Sequence, residues 1–366
     1  MKFIDEFRDQ KIAHGLAARI ARAAVKPFTF MEVCGTHTMA IARHGLKALL
    51  PETVRLISGP GCPVCVTPQA DIDRFIALGG LPDVILATFG DMLRVPGSRS
   101  TLEKERARGA DVRVVYSPLD AVRIAREHPD RRVVFCGVGF ETTAPGVALA
   151  ILEAQRSGLT NFFVYCAHKV VPPALTALAS DAEIGLDGFL CPGHVSTIIG
   201  SAAYEPVARD CGMPCVIAGF EPLDILQAIH MLVKQAVEGR SEVEVQYSRA
   251  VSREGNVAAR EVMNRVFEPD DAEWRGVGVI PMSGLRFREE FAAFDAGALI
   301  PPIEGKSPEI GICECGSILK GLKSPAECRA FGTACTPERP LGPCMVSSEG
   351  ACAAEYRYSA RGKVKA

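Results

Sequence analysis

The sequence predicts an α/β protein, with two small parallel-sheet domains followed by a cysteine-rich C-terminal module. Three observations lead there. From residue 28 to about residue 235 one unit recurs: a short apolar run, a loop containing Gly or Pro, then a helical pattern. Such runs alternating with helices imply parallel strands covered on both faces. Polar and Gly-rich motifs fall at the C-terminal ends of these runs, where open parallel sheets bind ligands. Six of the 14 cysteines crowd into the stretch from Cys313 to Cys352.

Residues 5–24 read as an amphipathic helix. The expected strands then begin at Phe28, Val54, Asp83, Val112, Arg132, Phe162, Gly188 and Pro214, each followed by a loop and a helix. The units suit two domains better than one closed (β/α)8 barrel, because the polar loops split into two sets. Beyond residue 236 the pattern loosens. A strand is expected within Glu242–Arg249, a helix over Asn256–Val266 and a strand over Gly276–Ser283. Two prolines at 301–302 lead into the cysteine-rich tail. The expected domains are therefore 1–118, 119–236 and 237–366.

The length of 366 residues fits two or three domains. Hydrophobic residues at 48% and charged residues at 23% describe a globular chain. Lys+Arg 41 against Asp+Glu 43 leaves no basic excess for nucleic acid or an anionic membrane surface. The N-terminus is charged and lacks the apolar core of a signal peptide. No apolar run approaches the roughly 20 residues that span a bilayer, so a cytoplasmic location is expected. In that compartment many cysteines point to metal binding or redox chemistry rather than a disulfide framework.

Cys34-Gly-Thr-His37 puts a thiol where a strand meets a helix N-terminus. The helix dipole and free N–H groups there favour the thiolate, the form that ligates metals and attacks. The competing reading is a small buried cysteine with His37 as a polar helix-start residue. Gly59-Pro-Gly-Cys62-Pro-Val-Cys65 is stronger. A Cys-x-x-Cys spacing at a strand-to-helix turn permits a reversible disulfide or two thiolate ligands. Half of a structural zinc site is the alternative, and no second Cys-x-x-Cys exists.

Gly137-Val-Gly-Phe-Glu141-Thr-Thr resembles an anion-binding glycine loop. It has no third glycine and no P-loop lysine. His168-Lys169 and Pro192-Gly-His194 offer hydrogen bonds or proton transfer. With Cys34, Cys62, Cys65, Thr142, Thr143 and Glu221 they are expected to converge on one rim or cleft. Cys136, Cys166 and Cys191 end apolar runs and read as core. Cys211 and Cys215 receive no role.

The tail cysteines, Cys313, Cys315, Cys328, Cys335, Cys344 and Cys352, are interleaved with Gly and Pro. The segment has little apolar material for a core of its own, and a bound cluster would supply folding free energy. Prolines near cysteines also recur beside iron–sulfur clusters. Zinc is the main competitor, but structural zinc sites show tight paired spacings and this tail shows wide single ones. Six cysteines exceed the four that one cluster needs, and the surplus two could form a redox disulfide. Spacing alone does not choose four from six.

Together these motifs resemble the HypD family, maturation factors for the iron centre of [NiFe]-hydrogenases. The resemblance rests on CGTH at 34–37, GPGCPVC at 59–65, GFETT at 139–143, PGHVS at 192–196 and FGTACTPERPLGPCMVSSEGACAA at 331–354. It implies two α/β domains and an iron–sulfur domain around a cleft. Cys313, Cys328, Cys335 and Cys352 would ligate a [4Fe–4S] cluster, with Cys315 and Cys344 as an adjacent redox pair. Cys62 and Cys65 would relay electrons, and Cys34 would hold the iron of an Fe(CN)2CO unit. The resemblance implies two partners, a HypC-type chaperone and a HypE-type cyanide donor. Further expectations assign Glu141, Lys169 and His194 to the cyanide nitrogens. Two other readings stand beside this one: a [4Fe–4S]-dependent thiol-disulfide reductase acting on a small protein, and a zinc-stabilised binding protein.

Overall fold

A computed structural model describes residues 5–300 and 311–358. The prolines at 301–302 lie outside them. Eleven strands occur among the described residues: β1 Phe28–Glu32, β2 Val54–Ser58, β3 Val84–Thr88, β4 Val112–Val114, β5 Arg132–Gly137, β6 Phe162–Cys166, β7 Gly188–Pro192, β8 Cys215–Ala218, β9 Val243–Val245, β10 Phe267–Trp274 and β11 Gly278–Phe287. The first eight fall on the eight apolar runs.

These strands form two open parallel sheets and no barrel. One has the order β2-β1-β7-β8-β9 and the other β4-β3-β5-β6. Sheet membership therefore does not change at residue 118. The chain starts the five-stranded sheet, leaves to build the whole four-stranded sheet, and returns at β7. The physical reason is pairing: β1 takes β2 on one side and β7 on the other, with Phe30 opposite Gly188.

Both sheets are buried on both faces, which explains the unbroken apolar runs. In the five-stranded sheet Phe30, Leu190 and Val216 point to the helices Gln10–Ala23 and Pro222–Glu238. Met31, Cys191 and Ile217 point the other way, into a core shared with the helix Val171–Ala179 and the C-terminal cysteines. In the four-stranded sheet Ile85, Val133 and Val164 meet the helices Pro118–Glu127 and Ala144–Arg156. Leu86, Val134 and Cys136 meet the helix Gln69–Gly79.

Local sequence explains several helix starts. Ser117 and Asp120 make a capping box at Pro118. Asn256 accepts the Ala259 N–H at 3.0 Å and begins Val257–Val266, so the helix expected from Asn256 has that residue as its cap. The expected N-terminal helix is broken into a 3-10 turn, Asp5–Arg8, and Gln10–Ala23, with Asp9 capping the second. β10 and β11 form an antiparallel hairpin with a bulge near Asp271. Trp274 is buried in it, donates to Ser283 Oγ at 2.8 Å and stacks on Phe140.

Candidate functional site: a thiol, a disulfide and a cysteine-rich module

Cys34 is the N-cap of the helix Gly35–Arg43, directly after β1. Cys62 is the N-cap of the short helix Pro63–Val66, just beyond β2. Because β1 and β2 are neighbours in parallel register, their two C-terminal loops lie side by side. The Gly35 N–H donates to the Gly61 carbonyl at 2.9 Å. A Cβ on Gly61 would stand 2.2 Å from the Cys34 nitrogen, so only glycine permits this approach. Cys62 and Cys65 are joined in a disulfide, with Cα atoms 5.2 Å apart, and both are buried. Of the two options open to Cys-x-x-Cys, the structure holds the disulfide.

The C-terminal module closes over this corner. Its short helices Cys315–Leu319 and Pro343–Val346 both contact the Cys62–Cys65 helix, and Ala351–Tyr358 packs along Gly35–Arg43. Thr36 Oγ1 donates to Glu349 Oε1 at 2.7 Å. Glu349 thus sits at the helix N-terminus beside Cys34, where a carboxylate is favourable for the helix.

That carboxylate opposes the expected thiolate. The N–H groups of His37 and Thr36 do pull the Cys34 pKa down. Burial and the charges of Glu349 and Glu32 outweigh them, and the thiol is pushed up to about 12. Here Cys34 is a buried thiol, and a bound cation rather than the helix dipole would have to drive its deprotonation.

Three further residues complete the corner. His37 Nε2–H donates to the Gly219 carbonyl at 2.9 Å, and burial lowers its pKa to about 4, so the ring is neutral. Exposed His194 stacks on Phe220 at 4.0 Å, and His37 lies 4.8 Å from the same ring. Sequence reasoning missed Glu32. It ends β1, is buried, and accepts from Thr38 Oγ1 at 2.7 Å and from the Cys34 N–H at 3.4 Å. Burial raises its pKa to about 7. The available signal was a carboxylate inside the apolar run FTFME, two residues before a cysteine. Phe220 and Glu349 carried no such signal.

The expected single rim does not form. Glu141 is buried, and its Oε1 accepts the Val171 N–H at 2.8 Å, so it caps the helix Val171–Ala179. His168 and Lys169 line a separate cavity that includes none of Cys34, Cys62 and Cys65. Glu221 pairs with Arg8 at 2.5 Å. Thr143 Oγ1 donates to the Phe140 carbonyl within its own loop. Cys136, Cys191 and Cys215 are buried core, whereas Cys166 is half-buried and lines the separate cavity.

In the module, Cys313, Cys315, Cys328, Cys335 and Cys352 line one small pocket with Ile318, Phe331, Leu341 and Met345. Cys344 lies next to it, beside the thiols of Cys315 and Cys352. Cys315 and Cys344 pull the Cys352 pKa down to about 6 against burial. The Leu341 N–H donates to Cys335 Sγ at 3.4 Å. A Cβ on Gly342 would lie 2.5 Å from Cys313 Sγ and 2.9 Å from Cys315 Sγ, so the missing side chain leaves room for sulfur. Soft donors, apolar walls and an N–H donated to sulfur fit a thiolate-held cluster. No three His, Cys, Asp or Glu side chains among the described residues stand ready to hold a single metal ion. Cys315 is a free thiol near Cys344 and likewise near Cys313 and Cys352, so geometry does not separate four ligands from a pair.

The fold and site define an α/β protein with a buried thiol, a disulfide and a cysteine-rich module at adjoining strand ends. No helix among the described residues is long and apolar enough to cross a membrane. The HypD family model, described as the hydrogenase formation hypA family, matches residues 11–359. The hydrogenase maturation factor HypD2 of Bradyrhizobium diazoefficiens is 53% identical over 368 residues, covering 98% of this chain and 97% of its own. HypD of Azotobacter vinelandii is 54% identical over 367 residues, 98% of this chain and 97% of its own. HypD of Escherichia coli K12 is 46% identical over 366 residues, 98% of each. The chain belongs to the HypD family.

Proposed function

We propose that the protein is a hydrogenase maturation factor, a scaffold and redox partner in assembling an Fe(CN)2CO unit. The observation that carries this reading is the convergence of Cys34, the Cys62–Cys65 disulfide and the cysteine module on one corner. Cys34 holds the cargo iron, and a HypC-type chaperone offers a second thiolate. Low-spin Fe(II) carrying cyanide is soft, and thiolate suits it. Cys313, Cys328, Cys335 and Cys352 hold a [4Fe–4S] cluster, which when bound supplies single electrons. Cys315, which lines that pocket, and Cys344 lie on the two short helices that contact the helix Pro63–Val66.

The chemistry balances. Two electrons and two protons open the Cys62–Cys65 disulfide to two thiols. A HypE-type donor presents cyanide as a protein thiocyanate, R–S–CN. Oxidation of the Cys62 and Cys65 thiols back to the disulfide provides two electrons. The S–CN bond breaks, cyanide passes to iron, the donor sulfur keeps one proton as R–SH, and one proton is released. His194, exposed beside Phe220, hydrogen-bonds a cyanide nitrogen in this reading. Glu141 caps the helix Val171–Ala179, and Lys169 lines the separate cavity.

The test is anaerobic purification with the chaperone, followed by iron analysis and infrared spectroscopy. The expected wild type carries about four cluster irons and one further iron with cyanide bands. In Cys34→Ala the bands vanish and the cluster stays. Cyanide bands that persist in Cys34→Ala reject the scaffold. A cluster and disulfide reductase activity with no cyanide-bearing iron would favour the reductase reading, for which the buried disulfide against the module is the supporting observation.

A further inference from the structure

The C-terminal edge of the four-stranded sheet opens on a second cavity, of about 690 Å3, covered by the β10–β11 hairpin. That is within the range of small-molecule sites. Lys169 lines it and is 5% exposed. Its backbone is fixed on both sides, by its N–H to the Gly139 carbonyl at 3.0 Å and by a bridge to Gly284. Its ammonium has no hydrogen bond or ion pair among the described residues. Asp71, Cys166 and Glu273 act on it only through space, and burial lowers its pKa. The stem of Lys169 is buried while its ammonium is open to the cavity and unpaired, which makes it a ready anchor for an anionic group.

The other charges lining the cavity divide into satisfied and free. Asp71 is taken by Arg74 at 3.0 Å and by the Tyr165 hydroxyl at 2.8 Å. Arg286 pairs with Glu268 at 2.8 Å. Asp271 accepts the Met282 N–H, and Asp295 accepts the Gly297 N–H. Asp270 and Glu273 remain, exposed on the hairpin with no pairing partner among the described residues. Among the described residues, the cation without a partner is thus Lys169 inside, and the carboxylates without a cationic partner are Asp271 and Asp295, each holding a backbone N–H, and Asp270 and Glu273, which hold none. A plain anion entering would meet the carboxylates first. A ligand with an anionic and a cationic end satisfies both.

We propose that this cavity binds a small zwitterion of the α-amino-acid type, its carboxylate on Lys169 and its ammonium towards Asp270 and Glu273. The site is separate from the thiol corner, and its ligand need take no part in cyanide or electron transfer.

The test uses the full chain, purified anaerobically, and each proteinogenic amino acid as probe, read by thermal shift and by saturation-transfer NMR. At least one amino acid is expected to raise the unfolding midpoint saturably. Its deaminated acid and its decarboxylated amine are expected to bind about tenfold more weakly or worse, each having lost one charge contact. Lys169→Met abolishes the effect. Should that variant fold poorly, the exposed pair Asp270→Asn and Glu273→Gln still decides, with an expected affinity loss of a few fold. Binding by none of the probes overturns the proposal, as does equal binding of the deaminated acid or full binding by either variant.

Discussion

The two parallel sheets end in different chemistry. At the end of the five-stranded sheet, carboxylates and a neutral histidine surround a thiol and a disulfide, and a separate module seals them. At the end of the four-stranded sheet there is no such seal. A roomy cavity stays open, with a lysine inside and no sulfur beyond Cys166. Similar backbone architecture therefore does not determine the site. What differs is the cover: the cysteine module on one sheet, a polar hairpin on the other.

The largest test of this contrast is functional. Cys34→Ala should lower hydrogenase maturation in cells by at least about a hundredfold, beyond what loss of an outer partner of a metal ligand costs. Lys169→Met should lower it far less. Equal losses would merge the two sites.

Two buried groups should give opposite pH signatures. Burial raises Glu141 from 4.5 to about 7. The folded state then binds the extra proton, so stability falls as pH rises from about 4.5 to about 7. His37 is lowered from 6.5 to about 4. There the unfolded state binds the extra proton, so stability falls as pH drops from about 6.5 to about 4. Each amounts to at most about 3 kcal/mol. Urea unfolding across this range should show a shallower first slope in Glu141→Gln, with Glu32 supplying the remainder, and a shallower second slope in His37→Gln, with His168 supplying the remainder.

Smaller effects probe the seal. Gly61→Ala should cost about 1–3 kcal/mol in unfolding free energy, because the new Cβ overlaps the Cys34 backbone. Thr36→Ala should cost about 0.5–1.5 kcal/mol through the lost bond to Glu349. It should leave amino-acid binding at the other sheet unchanged.

Strand positions were legible in the sequence because both sheets are buried on both faces, and each strand therefore reads as an apolar run. Strand order was not. Nothing local in FTFME or VRLIS says that the partner arrives at Gly188. β10, with the sequence FEPDDAEW, was missed because most of it is exposed and its charges break the alternation expected of a strand. The CGTH and GPGCPVC motifs lie side by side at the ends of neighbouring strands, as their strand-end positions suggested. The error lay in gathering every strand-end polar residue into one site. Glu141 and Lys169 sit in the same kind of loop as Cys34, but they follow strands of the other sheet. Glu349 was invisible because its role depends on a tertiary contact 313 residues from Thr36.

The interrupted five-stranded sheet also bears on synthesis. β1 and β2 leave the ribosome well before β7, which must wait for the whole four-stranded sheet to be made. At 5–20 residues per second that interval is on the order of ten seconds. The four-stranded sheet can close on its own in that time, while the half-built one cannot. Until β7 and then the C-terminal module arrive, Cys34, Cys62 and Cys65 face the surrounding solution without the cover that later buries them. Stray metals and oxidants in the cell then reach these sulfurs more easily in the nascent chain than in the finished protein.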